Sequence, residues 1–402
     1  MMTENRPLTI LCLASYYKGA AFIQAAKQLG CTVLLITREA MAEEPWPRES
    51  IDEIFMMPKL QTRPDILYAV SYLARSHPLD QVVALDDYDV ETAGVLRDHL
   101  RLPGMSASHA RHFRDKLTMR DLAHSAGLPV PEFTPVFNYQ RLNEFMGRVP
   151  PPWLLKPRSE ASAMGIKTIR QPDELWPVLN ELGDQQSFFL LERFLPGDVF
   201  HVDGLVEDGA PLFAETHQYA RPPMSVYQGG GVFVTRTLER NSATARSLVA
   251  LNRRLLKALG ATRGAFHAEY IRSQEDGKFY FLECAARVGG ANIAEAVEFA
   301  TGLNLWAEWA RLEIAHLRGQ PYQLPERRAH YSGLINCLSR QEYPDLSAYQ
   351  DPEVVWRSNK KQHAGLILSS PDSKRLGSLL DEYSQRFAQD FLAVLPPQEK
   401  GP

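Results

Sequence analysis

The chain has 402 residues, 45% hydrophobic and 23% charged, a composition that suits two or three globular domains. Its formal net charge of -4 and the lack of a long basic run argue against nucleic acid and anionic membranes as partners, and no apolar stretch approaches membrane-spanning length. The four cysteines are scattered without metal-ligand spacing, which predicts reduced thiols in a cytoplasmic protein.

Residues 8–100 alternate short apolar runs with helix-like segments. This pattern predicts strands at 8–14, 32–37 and 82–85 and helices at 20–29, 66–75 and 90–100. Such alternation is typical of βαβ units around a parallel sheet. The turn after the first run reads SYYKG and lacks the GxGxxG spacing, so it does not support a dinucleotide site. We interpret this region as a scaffold.

Proline-rich breaks near residue 103 and at 150–152 predict a change of domain. The apolar run that follows the second break ends at Lys156, and the small polar residues 158–165 come next. The pattern predicts a strand, a loop and a second strand. A further apolar strand leads into a Pro-Gly turn at 196–197.

Two apolar runs, 264–271 and 279–282, flank a polar turn and predict a β-hairpin. Glu269 and Glu283 can therefore meet across adjacent strands, and strand alternation would project Arg287 on the same side as Glu283. Magnesium is usually held by one or two carboxylates together with substrate phosphates, and a guanidinium fork suits phosphate or carboxylate. An ordinary hairpin with solvated charges is the alternative interpretation.

Gly289 and Gly290 precede a helix-like run at 291–300, whose free N–H groups would favour an anion. The polar, glycine-rich residues 219–231 predict a loop. Functional residues often lie on such loops, so we expect it to form part of a substrate wall, with Arg221 as a candidate carboxylate partner and a plain surface loop as the alternative. The remaining patterns predict helices at 242–259, 305–317 and 376–392 and strands at 331–338, 354–356 and 365–369.

The order and spacing of the polar residues resemble the ATP-grasp superfamily, with the carboxylate–amine ligase branch, which includes amino-acid ligases and biotin-carboxylase-like enzymes, the most similar. The matching positions are Lys116, Lys156, residues 192–197, Glu269, Glu283 and Arg287. The resemblance implies a mixed α/β and α+β fold. Its parts would be an N-terminal parallel-sheet α/β domain (1–105), a two-lobed ATP-grasp fold (106–318) and a small C-terminal α+β segment (319–402).

The resemblance also implies that ATP and Mg²⁺ are the cofactors. Lys116 and Lys156 would contact the phosphates, Lys156 and Arg287 would be catalytic, and Glu269 and Glu283 would hold the metal. The remaining nucleotide contacts would come from Glu192, Phe194, Leu195 and Asp198. Separately from the resemblance, the loop and helix-start patterns described above give Arg221, Gly289 and Gly290 as the expected substrate contacts. Residues 159–165 match the family's flexible phosphate-covering loop.

The chain departs from the family pattern at two positions. Ala285 stands where the family usually has Asn, so one metal-ligand oxygen is missing. Val199 stands where a ribose-contacting carboxylate is common, with Asp198 beside it. His267, two residues before Glu269, is interpreted as a structural histidine.

The resulting hypothesis is an ATP-dependent ligase that activates a small carboxylic acid, such as an amino acid, as an acyl phosphate and joins it to an amine. Two alternatives stay open: a non-catalytic ATP-binding protein with a decayed metal site, and an ATP-dependent carboxylase. The expected partners are a small-molecule carboxylate and an amine, and a homodimer is left open.

Overall fold

The computed structural model describes residues 6–161 and 163–394, so Ser162 of the predicted phosphate-covering loop lies outside the described residues. The N-terminal region contains a parallel sheet of order β3-β2-β1-β4, as the alternating pattern predicted. Its elements are β1 (Thr9–Ala14), α1 (Ala20–Gln28), β2 (Thr32–Arg38), β3 (Glu53–Met57), α2 (Asp65–Leu73), β4 (Gln81–Ala84) and α3 (Val90–Leu100).

Helices cover both faces of this sheet, which explains why its central strand reads as a continuous apolar run. Ile10 and Cys12 of β1 pack in one core cluster with Phe22 of α1. Leu11 and Leu13, on the opposite face, pack in another cluster with residues of α2 and α3. Strand β3 was not predicted, because it lies at the sheet edge with a partly exposed sequence instead of an apolar run.

A small lobe follows, built on an antiparallel sheet of order β5-β8-β6-β7. Its core includes Leu142, Phe145, Trp153, Leu175 and Leu191. The elements from the first break to the end of this lobe are α4 (Ala107–Ala110), α5 (Lys116–Ser125), β5 (Phe133–Pro135), α6 (Tyr139–Arg148), β6 (Trp153–Pro157), β7 (Lys167–Ile169), α7 (Pro172–Leu182) and β8 (Phe189–Arg193). The predicted arrangement of strand, loop and strand around Lys156 is confirmed.

The large lobe is an antiparallel sheet of order β13-β12-β9-β10-β11-β14-β16-β15 within the described chain. Its elements are β9 (Gly197–Glu207), β10 (Ala210–Tyr219), α8 (Pro223–Gly229), β11 (Phe233–Thr237), α9 (Ala243–Leu259), β12 (Arg263–Ser273), β13 (Phe279–Ala285), α10 (Ile293–Thr301), α11 (Leu305–Leu317), β14 (Tyr331–Leu338), β15 (Val354–Arg357), β16 (His363–Ser370) and α12 (Ser373–Asp390). Strands β14 to β16 belong to this same sheet, so the C-terminal segment extends the large lobe. The domain boundaries at 105 and 318 stay a prediction.

Most predicted elements of this lobe are confirmed within one or two residues, and the predicted loop at 219–231 is the main correction. Helix α8 occupies most of that segment, beginning at Pro223 directly after Pro222. Proline is common at the first position of a helix because its ring fixes φ near the helical value. The two prolines therefore indicated a helix start, but the three glycines that follow favoured the prediction of a loop. Helix α10 begins two residues later than predicted, because Ala291 and Asn292 have φ values of 53° and 68°.

Strand β12 separates a core face from a polar face. Phe266, Ala268 and Tyr270 pack in an apolar cluster with residues of α9 and α5. His267 and Glu269 point to the opposite face, because side chains on a strand alternate. The four cysteines are buried and free, as predicted. Across the described ranges, no helix combines the length and apolar character that spanning a membrane requires.

Gly204 lies in the middle of β9 between β10 and β12, and a Cβ atom there would stand 2.0 Å from the Phe213 carbonyl oxygen and 2.9 Å from the Phe266 ring. We expect Gly204→Ala to lower the thermal unfolding midpoint, by an amount that corresponds to about 1–3 kcal/mol or more, because backbone must move. Gly147→Ala in α6 is the matched control, since a Cβ there meets nothing within 4 Å. Differential scanning calorimetry should show that variant to be as stable as the parent or slightly more stable.

Candidate active site

A cleft of about 460 Å³ lies between the two lobes, a volume within the usual range for small-molecule sites. The predicted site residues that line it are Lys116, Lys156, Glu192, Phe194, Leu195, Glu269, Glu283, Arg287 and Gly290. The structure therefore brings together residues from α5, the small lobe and the β12–β13 hairpin.

Glu269 and Glu283 are directly opposite each other in the β12–β13 register, and a β-bulge follows Glu269. Bulges often re-aim side chains next to functional sites. Lys116 Nζ lies 3.1 Å from Glu283 Oε2. Burial opposes ionisation of Glu283, but Lys116 outweighs it and holds the pKa of this carboxyl below its usual value. Two ionisable carboxylates at one end of a cleft fit the oxygen preference of Mg²⁺.

Glu192 is completely buried and bridges two cations. Arg120 Nε donates to Glu192 Oε2 at 2.7 Å, and Lys156 Nζ donates to Glu192 Oε1. Burial alone would raise the pKa of Glu192, but Arg120 and Lys156 hold it below its usual value. The sequence predicted backbone contacts from this residue and did not predict that its side chain anchors Lys156. The Phe194 N–H already donates to the Pro152 carbonyl at 3.1 Å.

Arg287 faces a carboxylate from the N-terminal region. Its Nε lies 3.8 Å from Asp87 Oδ1, and neither buried atom has a hydrogen-bond partner among the described residues. Arg114 NH1 donates to the other oxygen of Asp87 at 2.5 Å. Burial would raise the pKa of Asp87, but Arg114 and Arg287 keep it below its usual value.

Sequence reasoning missed Asp87, although a signal was present. The residue follows strand β4, and ligands bind at the carboxyl ends of strands in open α/β sheets. Gly290 lines the cleft beside Arg287, whereas Gly289 packs behind it. A Cβ at Gly289 would lie 2.5 Å from Asp203 Oδ1, so the site requires glycine there.

Two predicted residues are placed elsewhere: the described residues that line the cleft do not include Asp198 and Arg221. The Asp198 side chain is 49% exposed and accepts a hydrogen bond from Arg272 NH2 at 3.0 Å. Arg221 is exposed and lies against Gly231. Its neighbours in α8, including Met224 and Val226, form the cleft wall in its place.

A buried histidine cluster adjoins the carboxylates of Glu269 and Glu283, and sequence reasoning missed it as well. His201 Nδ1 lies 2.5 Å from Asp203 Oδ2, and His267 Nδ1 lies 2.8 Å from Asp203 Oδ1. Burial lowers the pKa of His201 to about 3. Burial also opposes protonation of His267, but Asp203 and Glu269 raise its pKa to about 10. The ring of His217 stacks on His201 with 4.5 Å between centroids.

Comparison with known protein families matches the region of the chain that carries many of these residues. A family model of the ATP-grasp domain matches residues 149–295, which include Lys156, Glu192, Glu269, Glu283 and Arg287. The chain contains an ATP-grasp domain. The resemblance inferred from the polar residues is thereby confirmed.

Curated relatives of this chain include an L-arginine-specific L-amino acid ligase from Bacillus subtilis, 25% identical over 59% of this chain. A D-alanine–D-alanine ligase from Neisseria gonorrhoeae is 26% identical over 42% of it. The matches span 58% and 56% of those relatives, so a little over half of each is covered. Among solved structures, an L-amino acid ligase from Bacillus licheniformis superposes with a TM-score of 0.74 at 17% identity, covering 97% of this chain and 99% of that one.

The fold shown by that superposition covers the N-terminal sheet and both lobes. The predicted class, a parallel-sheet α/β region followed by an α+β ATP-grasp fold, is therefore confirmed. Ala285, where the ATP-grasp pattern usually has Asn, lines the cleft directly opposite His267 in the hairpin register. Its methyl group offers no oxygen to a metal.

Lys156 is expected to bind the phosphates of a nucleotide, because its ammonium lies at the cleft surface while Glu192 anchors it from behind. Lys156→Ala should weaken ADP binding by about tenfold or more, which calorimetry can measure. The fold should persist, since Arg120 still pairs with Glu192. Lys278→Ala, an exposed lysine in the hairpin turn, is the control that should bind ADP like the parent. Unchanged ADP affinity in Lys156→Ala would remove the phosphate role.

Proposed function

We propose that this chain is an ATP-dependent carboxylate–amine ligase, and that the acid it activates is an α-amino acid. ATP would occupy the cleft between the lobes, and the products would be an amide, ADP and phosphate. The L-amino acid ligases among the similar proteins support this class of reaction, although the match covers little more than half of the curated relative.

The observation that carries the proposal is the pair of unsatisfied atoms Arg287 Nε and Asp87 Oδ1, which lie 3.8 Å apart in the cleft. A buried donor and a buried acceptor that face each other without a hydrogen bond are costly, and a ligand that carries both charges would supply a hydrogen bond to each. An α-amino acid has a carboxylate for the guanidinium and an ammonium for Asp87. The pair thus selects a zwitterion over a simple carboxylic acid.

The reaction would proceed in two balanced steps. An oxygen of the substrate carboxylate attacks the γ-phosphorus of ATP, the bond to the β–γ bridging oxygen breaks, and ADP leaves. The nitrogen of the amine then attacks the carbonyl carbon of the acyl phosphate, loses a proton, and expels inorganic phosphate. Such transfers depend on positioning and on stabilisation of developing charge.

Each charged residue of the cleft has a part in this scheme. Lys156, held by Glu192, and Lys116 would bind phosphate oxygens, and Arg287 would hold the reacting carboxylate and the charge that develops beside it. Glu269 and Glu283 fit the ligand preference of Mg²⁺, which supplies charge neutralisation on the phosphates when bound. With Ala285 giving no oxygen, these two carboxylates, the phosphates and water would complete the coordination.

Two alternatives follow from specific observations. Ala285 would suit a non-catalytic nucleotide-binding protein with a decayed metal site, but the ionisable residues Lys116, Asp87 and Arg287 all line the cleft. An ATP-dependent carboxylase shares the nucleotide chemistry. It does not explain a carboxylate placed opposite Arg287.

A screen of amino-acid pairs with ATP and Mg²⁺ should yield ADP, phosphate and a condensed product of matching mass. AMP in place of ADP would contradict the acyl-phosphate scheme. Tight ADP binding with no product from any pair would favour the non-catalytic alternative, and a product that requires bicarbonate would favour the carboxylase.

Asp87→Asn should weaken recognition of the substrate ammonium group without changing nucleotide binding. The parent should prefer an amino acid over the same acid without its amino group, and the variant should lose about tenfold or more of that preference while its ADP affinity stays unchanged. Asp52→Asn is the control, because Asp52 pairs with Lys27 away from the cleft. An Asp87→Asn enzyme with the parental preference would show that Asp87 does not bind the amino group.

A further inference from the structure

A buried chain of polar contacts runs beneath the cleft and ends on Glu269. Thr235 Oγ1 lies 2.7 Å from His201 Nε2, and His201 Nδ1 lies 2.5 Å from Asp203 Oδ2. Asp203 Oδ1 lies 2.8 Å from His267 Nδ1, and His267 Nε2 lies 3.4 Å from Glu269 Oε1. The chain thus connects a strand at the middle of the large sheet to a carboxylate of the expected metal site.

Strand register builds this chain from cross-strand neighbours. In the pairing of β9 with β12, Asp203 is opposite His267 and His201 is opposite Glu269. The flanking residues Phe200 and Val202 point into the apolar core on the other face. Alternation therefore places all four polar side chains on the cleft side of the sheet.

Burying this cluster of ionisable side chains in the protein interior costs free energy. His201 and Asp203 are fully buried and His267 is 7% exposed, and removing ionisable groups from water has a desolvation cost even where they are paired. Aliphatic side chains would pack this layer without that cost, as Ala265 and Ile271 do on the same face of β12. The cluster therefore indicates a task other than stability.

Its contacts with Glu269 indicate the task. Tyr219 O–H donates to Glu269 Oε1 at 2.7 Å, and His267 Nε2 approaches the same oxygen. Both ring nitrogens of His267 thus face carboxylate oxygens, which accept hydrogen bonds. Because the Tyr219 O–H donates to Oε1 and His267 lies beside that atom, Oε2 is the oxygen left to face a cation.

We propose that Tyr219 and His267 are positioning residues that orient the Glu269 carboxylate for Mg²⁺, with Asp203 and His201 fixing the His267 ring. The inference rests on the proposed function, because it assumes that Glu269 holds the metal of an ATP-grasp site. Partners behind a metal ligand commonly set its orientation and basicity. Their part is larger here, because Ala285, opposite His267, contributes no oxygen.

The same residues could themselves be considered a metal site, since His201, Asp203 and His267 offer ligand atoms close together. Their contacts argue against it. The two Nδ1 atoms face different oxygens of Asp203 at hydrogen-bond distances. A zinc ion with bonds of about 2.0–2.1 Å would have to separate both contacts to enter.

Mn²⁺ can be used as the probe, because its bound and free forms are distinguished by electron paramagnetic resonance. Tyr219→Phe should weaken Mn²⁺ binding to the ADP complex by about 10- to 100-fold, while ADP affinity without metal stays unchanged. Tyr270→Phe is the matched control. Tyr270 directly follows Glu269 on β12 and is buried like Tyr219. Its O–H donates to Asn252 at 2.8 Å on the face away from the cleft. It should bind Mn²⁺ like the parent, and equal affinities in the two variants would overturn the proposal.

Two substitutions at His267 test which of its two contacts, with Glu269 or with Asp203, matters for Mn²⁺ binding. Each substitution keeps an N–H donor in place. Gln can put its amide nitrogen near the position of Nε2 and so keep the contact with Glu269, whereas Asn mimics Nδ1 and keeps only the contact with Asp203. His267→Gln should retain more Mn²⁺ affinity than His267→Asn, and the reverse order would overturn the assignment. Stoichiometric zinc in the purified parent would assign the cluster to a metal of its own. A parent that binds no Mn²⁺ with ADP would sink the proposed function itself.

Discussion

The site depends on the division of strand β12 into two faces. Phe266, Ala268 and Tyr270 are buried in the core against α9. Because side chains alternate along a strand, His267 and Glu269 therefore face the cleft. A one-residue slip would exchange the two sets, so the apolar packing enforces the register of the polar face. The pairing of Glu269 with Glu283 follows from that register, and the two carboxylates meet without any loop having to position them.

The cleft is completed by parts of the chain that are remote in sequence. Asp87 comes from the end of a parallel strand in the N-terminal region and meets Arg287 from the β13 end of the large lobe. Asn336, from β14, donates to the Ala291 carbonyl at 2.8 Å and supports the segment of positive φ that follows the paired glycines. The N-terminal sheet and the C-terminal strands thus both contribute to a site whose centre is the ATP-grasp domain.

Local periodicity was enough to predict the hairpin, the facing carboxylates and the helices α9 and α11, because alternation and helical spacing depend on near neighbours. The Asp87–Arg287 contact was not predictable in this way, since it joins residues separated by the whole small lobe. His201 and Asp203 were spaced for one strand face, as were His267 and Glu269, but linking the two pairs required the β9–β12 register. Glu192 was expected to act through its backbone, and only the three-dimensional structure showed Arg120 beside its side chain.

Before a ligand enters, carboxylates of the cleft are paired with cations of the protein. Lys116 pairs with Glu283, and Arg114 pairs with Asp87. In the proposed reaction, a substrate carboxylate then attacks the γ-phosphate of ATP. The most direct measurement uses an amino acid labelled with ¹⁸O in its carboxylate and follows the label by mass spectrometry after product formation. If the reaction passes through an acyl phosphate, one labelled oxygen appears in the released inorganic phosphate. Label in AMP, or unlabelled phosphate formed together with product, would contradict it.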